Sequence, residues 1–304
     1  MHLRLTLSLA LALAAPLLAA LSLPASANTS TLDKVRASGE IVLGYRPEAI
    51  PFSYTVAGAA EPVGYAIDIC KALVLAIQRE AQLPGLRTKS LPVDNKQRFP
   101  AVAEGRVDLE CGDTTNTRER RDKLGMAFSV PYYIAGTRML VRTDSNITRI
   151  EDMGNKTIVT TKGTTSAEIV KEKEAALMIR IGLLECDETP KCFDMVAQRK
   201  ADAWLMDDIM LYSLRAVSAK PETFAVVGKF MSIEPLTVMM RKGDADLKKL
   251  VDTEMKKMVY SQQIAGLYKK WFESPIAPQG VNLRIPMSYL LRDSLKFPTD
   301  NIGD

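Results

Sequence analysis

Two short apolar strands of closely similar make-up, residues 137–142 (TRMLVR) and 236–241 (LTVMMR), frame the second half of the chain and restrict its topology more than any other feature. Around them strand and helix patterns alternate, which argues for an α/β architecture. Residues 40–46, 86–93 and 107–110 read as strands, the first after a polar lead-in. Residues 65–83 carry apolar Ile67, Leu73, Ala76 and Ile77 near helical spacing and stop at Pro84-Gly85. A helix is expected over 95–104, and Asn116 with Glu119 has the pattern of a capping box opening a helix through Lys123. Further strands are expected over 157–161 and 203–206, and further helices after Ser166 and over 194–200, 244–260, 262–272 and 288–295. If both framing strands cross between lobes, one lobe is built from the two chain ends and the other is inserted between them. Residues 28–138 plus 236–304 then form lobe one and 139–235 form lobe two. Ligand sites favour the cleft that such an arrangement leaves.

Residues 1–27 read as a cleavable export signal. Met1-His2-Leu3-Arg4 gives a short basic start, 5–21 is dominated by Leu and Ala, and Ala25-Ser26-Ala27 has the small-x-small form of a cleavage site. The apolar stretch is short for a membrane span of ~20 residues, and no later segment approaches that length. Asn28 is the expected mature start. The only histidine, His2, leaves with the signal, so the mature chain has no imidazole for acid–base work or metal binding. On that ground ligand affinity is expected to vary little between about pH 6 and 8, with the site's carboxylates and guanidiniums ionised throughout. A net charge of +4, with Lys and Arg spread along the chain, is too weak to argue for nucleic acid.

Four cysteines remain: Cys70, Cys111, Cys186 and Cys192. In an exported chain an even number argues for disulfides, and the absence of a C-x-x-C pair argues against zinc. Cys186–Cys192, closing a short loop, and Cys70–Cys111, joining a helix to the neighbouring strand, are the expected bridges, although sequence does not fix connectivity.

Several short motifs occur in order: Gly44-Tyr45-Arg46, Pro51-Phe52-Ser53-Tyr54, Gly64-Tyr65, the run Glu110-Cys111-Gly112-Asp113-Thr114-Thr115-Asn116-Thr117 with Glu119-Arg120, Gly163-Thr164-Thr165-Ser166, Met206-Asp207-Asp208 and Lys270-Trp271-Phe272. Each is weak alone. Together they resemble the glutamate/aspartate-binding proteins among the solute receptors of polar amino-acid ABC importers. The resemblance runs from about Leu32 into the tail. It implies a two-lobed type II periplasmic-binding fold, an amino-acid ligand, inner-membrane permease subunits as partners, a monomer in the periplasm and no cofactor.

The resemblance also assigns a site. An acidic amino acid brings two carboxylates and an ammonium, each costly to desolvate unless paired. Arg120 is expected to grip the α-carboxylate, its planar fork matching two oxygens. Thr115 supports the same ligand end, and Thr165 and Ser166 meet it from the other lobe, where a helix N-terminus favours an anion. Simple N-capping is the bland reading of those residues. Asp207, at a strand end, is expected to take the ammonium, while Asp208 caps the next helix. Arg46 and Arg98, with Asn95 beside them, are expected to reach the side-chain carboxylate. Two positions depart from the family: Asp113 stands where serine is common, and Thr189 where some members carry histidine. Asp113 either assists the ammonium or repels a carboxylate.

Three other readings compete. Dehydratases of aromatic amino-acid precursors share the fold, but a catalyst here would have to use Asp or Glu as its acid. A sensory ectodomain would need a membrane span. The same receptor with a neutral polar amino acid would leave Arg46 and Arg98 uncompensated.

Overall fold

A computed structural model describes residues 30–301; the expected export signal lies outside them. Twelve strands carry the architecture: β1 (Glu40–Tyr45), β2 (Glu48–Ala49), β3 (Ser53–Tyr54), β4 (Arg87–Pro92), β5 (Leu109–Thr115), β6 (Met126–Phe128), β7 (Tyr133–Arg142), β8 (Thr157–Thr161), β9 (Gly182–Cys186), β10 (Ala203–Asp207), β11 (Phe224–Val227) and β12 (Ile233–Arg241). Ten of them form one sheet in the order β4-β1-β5-β12-β7-β10-β8-β9, with β6 beside β12 and β11 beside β7.

The two framing strands explain this order. The start of β7, from Tyr133 to Gly136, pairs antiparallel with Ile233 to Leu236 of β12. From Thr137 onward β7 turns to β10, where Thr137 faces Asp207 and Val141 faces Ala203. Strand β12 does the reverse, and from Leu236 it joins β5 and then β6. The chain thus crosses twice between a half holding β1, β4, β5 and β6 and a half holding β8 to β11. At the crossing, Gly136 carries the Phe230 ring so closely that an added Cβ would sit 2.3 Å from it.

Parallel pairing of β1 with β4 and β5 in one half, and of β8 with β9 and β10 in the other, leaves helices to cover both faces. Helix Tyr65–Ala81 buries Tyr65, Ile69, Leu73 and Ile77 on one stripe. It joins helix Gln263–Phe272 in an aromatic cluster, in which Tyr268 and Phe272 stack at 4.3 Å and Tyr65 meets Phe272 edge-on at 5.2 Å. Tyr132 completes the cluster, and its hydroxyl donates to the Gly112 carbonyl, fixing the stretch of β5 that carries Asp113. Both expected disulfides are present, Cys70–Cys111 and Cys186–Cys192.

Several local expectations need correction. The polar lead-in is a helix, Thr31–Ser38, whose N-cap Ser30 accepts from the Asp33 amide and whose end is set by Gly39 in the left-handed region. Asn116 is not a cap. Thr117 caps helix Arg118–Asp122, while Asn116 donates through Nδ2 to the Asp300 carbonyl of the tail. The helix expected from Asn95 begins at Arg98, because Asp94 takes the Lys96 and Gln97 amides in a preceding turn. The helix expected over 194–200 is Thr189–Ala197, with Pro190 in its first turn. Strand β9 was not anticipated, and the helix expected after the Asp207-Asp208 pair runs Asp208–Val217.

Candidate functional site

Strand β1 ends at Tyr45 and delivers Arg46 to the sheet's carboxyl edge, where the Ser53 hydroxyl accepts the Arg46 amide at 2.8 Å. Its guanidinium donates to Asn95 Oδ1 at 2.5 Å and to Asp113 Oδ1 at 3.2 Å. Arg98 approaches the same oxygen from its helix, with Nη1 3.6 Å from Asp113 Oδ1. That Nη1 also donates to the Thr114 hydroxyl at 2.8 Å, and Nη2 donates to the Gly163 carbonyl at 3.2 Å. Arg46, Asn95, Arg98 and Asp113 therefore form one contiguous group, each less than a tenth exposed. The carboxylate of Asp113 serves both arginines.

Arg120 lies beside this group. Its guanidinium donates to the Thr115 carbonyl at 2.8 Å and sits 5.1 Å from the Phe99 ring, on which Arg98 also packs at 4.9 Å. Burial lowers the Arg120 pKa, opposed by Glu234, Asp207, Asp113 and Glu110. Arg98 is brought down to about 9 by burial and by the adjacent Arg120 and Arg46. Three guanidiniums crowded out of water raise one another's energy, and a carboxylate between them relieves it.

From the second half, β10 ends at Asp207, which is 3% exposed. Its carboxylate makes no capping bond to the helix that follows, and burial with Glu234, Asp113 and Asp208 around it pushes its pKa well up. Asp207 rather than Asp208 holds the N-cap position of helix Asp208–Val217, while Asp208 Oδ1 accepts from the Ile209 and Gly136 amides. The turn after β8 brings Gly163 against Asn95 and starts helix Ser166–Leu177. Thr165 holds the cap position, yet its side chain makes no capping bond; Thr164 accepts the Ser166 amide at 3.4 Å instead. The Ser166 hydroxyl lies 3.8 Å from Met206 Sδ, next to the Asp207 strand end. Thr189 is buried at the start of its helix.

Two site carboxylates escaped sequence reasoning. Glu110 and Glu234 are 0% and 3% exposed, inside β5 and β12. Glu110 Oε2 accepts from Thr114 at 2.6 Å, and Glu234 Oε1 accepts from Ser232 at 2.6 Å; the other oxygen of each has no hydrogen-bond partner. A signal existed in each case, since both are acidic residues flanked by apolar strand residues. Burial raises the Glu110 pKa, against the opposing pull of Arg98.

The junction of the two halves of the sheet thus gathers three buried arginines and four buried carboxylates. Paired charges of both signs converging without a metal cluster among the described residues suit a zwitterion with an extra charge. The family model for bacterial extracellular solute-binding proteins, family 3, matches residues 41–274. The chain belongs to that family. Among family 3 relatives, the L-glutamate/L-aspartate-binding protein of Pseudomonas aeruginosa is 38% identical over 94% of this chain and 95% of its own length. The glutamate/aspartate import solute-binding protein of Escherichia coli K12 is 34% identical over 97% and 96%. An ancestral amino-acid-binding protein, described as a precursor of cyclohexadienyl dehydratase, superposes with a TM-score of 0.66 at 28% identity, covering 80% of this chain and 99% of that one. The relatives are solute-binding proteins, and the two-lobed fold is theirs.

Proposed function

We propose that this family 3 solute-binding protein is a periplasmic receptor for glutamate or aspartate that delivers its ligand to an ABC importer. The observation that carries the proposal is the grouping of buried Arg46 and Arg98 around Asp113, with Arg120 beside them across the Phe99 ring and Asp207 on the opposing lobe. Arg120 with Thr115, and Thr165 and Ser166 across the cleft, take the α-carboxylate. Asp207 takes the ammonium. Arg46, Asn95 and Arg98 take the side-chain carboxylate, with Asp113 holding the two guanidiniums in register. On this reading Asp113 assists the site through the arginines, at the cost of part of their charge.

In the same proposal lobe one comprises 28–138 plus 236–304 and lobe two 139–235, the crossings falling in β7 and β12. The protein acts as a monomer, after removal of the export signal at 1–27. The names of the relatives support the ligand class. A calorimetric panel of amino acids tests it. Glutamate or aspartate is expected to bind tighter than glutamine and asparagine; a preference for the amides or for arginine would remove the proposal.

A further inference from the structure

Glu110 belongs to no ligand contact in the reading above, yet it lies at the centre of the side-chain end of the cleft. Its Oε2 accepts the Thr114 hydroxyl at 2.6 Å, and that hydroxyl accepts Arg98 Nη1 at 2.8 Å. Thr114 has one proton. While that proton is committed to Glu110, the Thr114 lone pairs face Arg98, so Glu110 sets the direction in which the guanidinium is held. Its Oε1 is buried with no partner, and points at Gly112, where a Cβ would come within 2.3 Å of it. An ionised carboxylate with an orphaned oxygen out of water is costly, and loss of the charge relieves that cost.

The charge count at this end sharpens the point. Arg46 and Arg98 face Asp113 and Glu110; among the described residues the Tyr132 hydroxyl, which donates to the Gly112 carbonyl, also lies near Glu110, as does Arg120, whose charge the reading above assigns to the α-carboxylate. With all four ionised, two positive and two negative charges cancel. A buried ligand carboxylate then enters a neutral environment and leaves it with one uncompensated negative charge. If Glu110 is neutral, the group is left with one positive charge to meet the ligand. An amide ligand makes no such demand.

We propose that Glu110 is a specificity-determining positioning residue, which takes a proton from solvent when an acidic side chain occupies the cleft and does not when an amide occupies it. This rests on the acidic-ligand reading above. Burial already raises the Glu110 pKa in the ligand-free protein, and a second carboxylate nearby raises it further. Selectivity for acid over amide therefore grows as pH falls toward the ligand-free pKa of Glu110, and declines above it by up to about tenfold per pH unit until the pKa of the acid-bound form is reached.

The test is calorimetry of glutamate binding to the mature protein and to Glu110→Gln, in pairs of buffers with different ionisation enthalpies, across pH ~5 to ~9. Glu110→Gln keeps an acceptor for Thr114 and cannot titrate. Comparing the two proteins cancels Asp207, which meets the ammonium in both. The wild type is expected to take up as much as about one proton more than the variant on binding glutamate. In the alkaline half of the range the variant binds glutamate at least tenfold tighter. Equal proton counts in the two proteins, with glutamate bound by both, overturn the role of Glu110 and leave the ligand reading standing. A wild type that binds neither glutamate nor aspartate overturns both. Should Glu110→Gln fail to fold, the wild type alone decides, from glutamate against glutamine: equal uptake for the two ligands overturns the inference.

Discussion

Arg98 Nη2 donates to the Gly163 carbonyl at 3.2 Å, joining the helix that follows β4 to the turn that follows β8 across the cleft. The side chain proposed to read the ligand is thereby also a contact between the two halves of the sheet. The approach is close because Gly163 has φ +74° and no side chain; a Cβ there would lie 2.8 Å from the Asn95 carbonyl. Lys96 and Lys162 both reach Asp187 beside it, at 3.6 and 2.9 Å, but these are exposed pairs of small worth.

Gly163→Ala is therefore expected to obstruct closure, with strain confined to the turn after β8. Affinity for every amino acid should fall by about tenfold to a hundredfold, the equivalent of ~1.4 to ~3 kcal/mol. Melting temperature of the ligand-free protein should drop only slightly. Titration calorimetry with small-angle scattering before and after ligand reads both effects, and unchanged affinity with normal compaction would show that the turn tolerates the methyl group.

The two disulfides should differ in worth. Cys70–Cys111 spans 41 residues of sequence and Cys186–Cys192 spans 6. Loop-closure entropy then gives about 4 kcal/mol for the first and about 2 kcal/mol for the second. Alkylation of the unfolded, unreduced protein should label no thiol by intact mass; four labels would contradict both bridges. Replacing Cys70 and Cys111 together by alanine should lower stability more than the same change at Cys186 and Cys192, measured by denaturant titration.

The fold was legible where the pattern was strong. The framing strands at 137–142 and 236–241 were found as strands, because long apolar runs of β-branched and unbranched residues have few alternatives there. Their extensions through Tyr133 and Ile233 were missed, since Gly136 and Pro235 read as breaks while in the structure they sit at the crossing itself. Arg46, Asn95, Arg98 and Asp113 were named from a resemblance and lie in contact; periodicity alone would not have joined residues 67 positions apart. Glu110 and Glu234 were passed over, because an acidic residue in an apolar run signals burial but acquires meaning only from the arginines that the fold brings beside it.

Burial of Asp207 and Glu110 also alters the flat pH profile expected from the lack of histidine. Both carboxyls have raised pKa in the folded chain, so the folded state holds more protons than the unfolded one between the ordinary carboxylate range and the raised values. Ligand-free stability should accordingly increase as pH falls through that window, and decrease as pH rises through it. An ammonium bound at Asp207 requires the ionised form, so the thermal shift given by a neutral amino acid should shrink over the same fall in pH. Scanning calorimetry of wild type and Asp207→Asn at pH ~5 and ~8 checks the sign. A ligand-free melting temperature that falls from pH ~8 to ~5 more in the wild type than in Asp207→Asn would refute the assignment.

The three arginines should separate the two ends of the ligand. Arg120→Ala removes the partner of the α-carboxylate, which every amino acid carries, and leaves Asp207 and Glu234 with one less positive charge nearby. Loss of one member of a buried charge pair costs roughly 3–5 kcal/mol, so acidic and neutral amino acids alike should weaken by about two to four orders of magnitude. Arg98→Ala removes a guanidinium that faces the side chain, along with the contact to Gly163. Glutamate and aspartate should weaken strongly, while glutamine and asparagine lose only the closure contact. Arg46→Ala should do the same in milder form, because Arg98 still holds Asp113. Arg46 is already paired with Asp113 and offers an amide no ionic contact, so affinity for glutamine and asparagine should hold without it. Measured against all four ligands, a pattern in which Arg46→Ala and Arg98→Ala leave the acidic ligands intact would make these arginines structural partners of Asp113 alone, and the acidic-ligand proposal would fall with them.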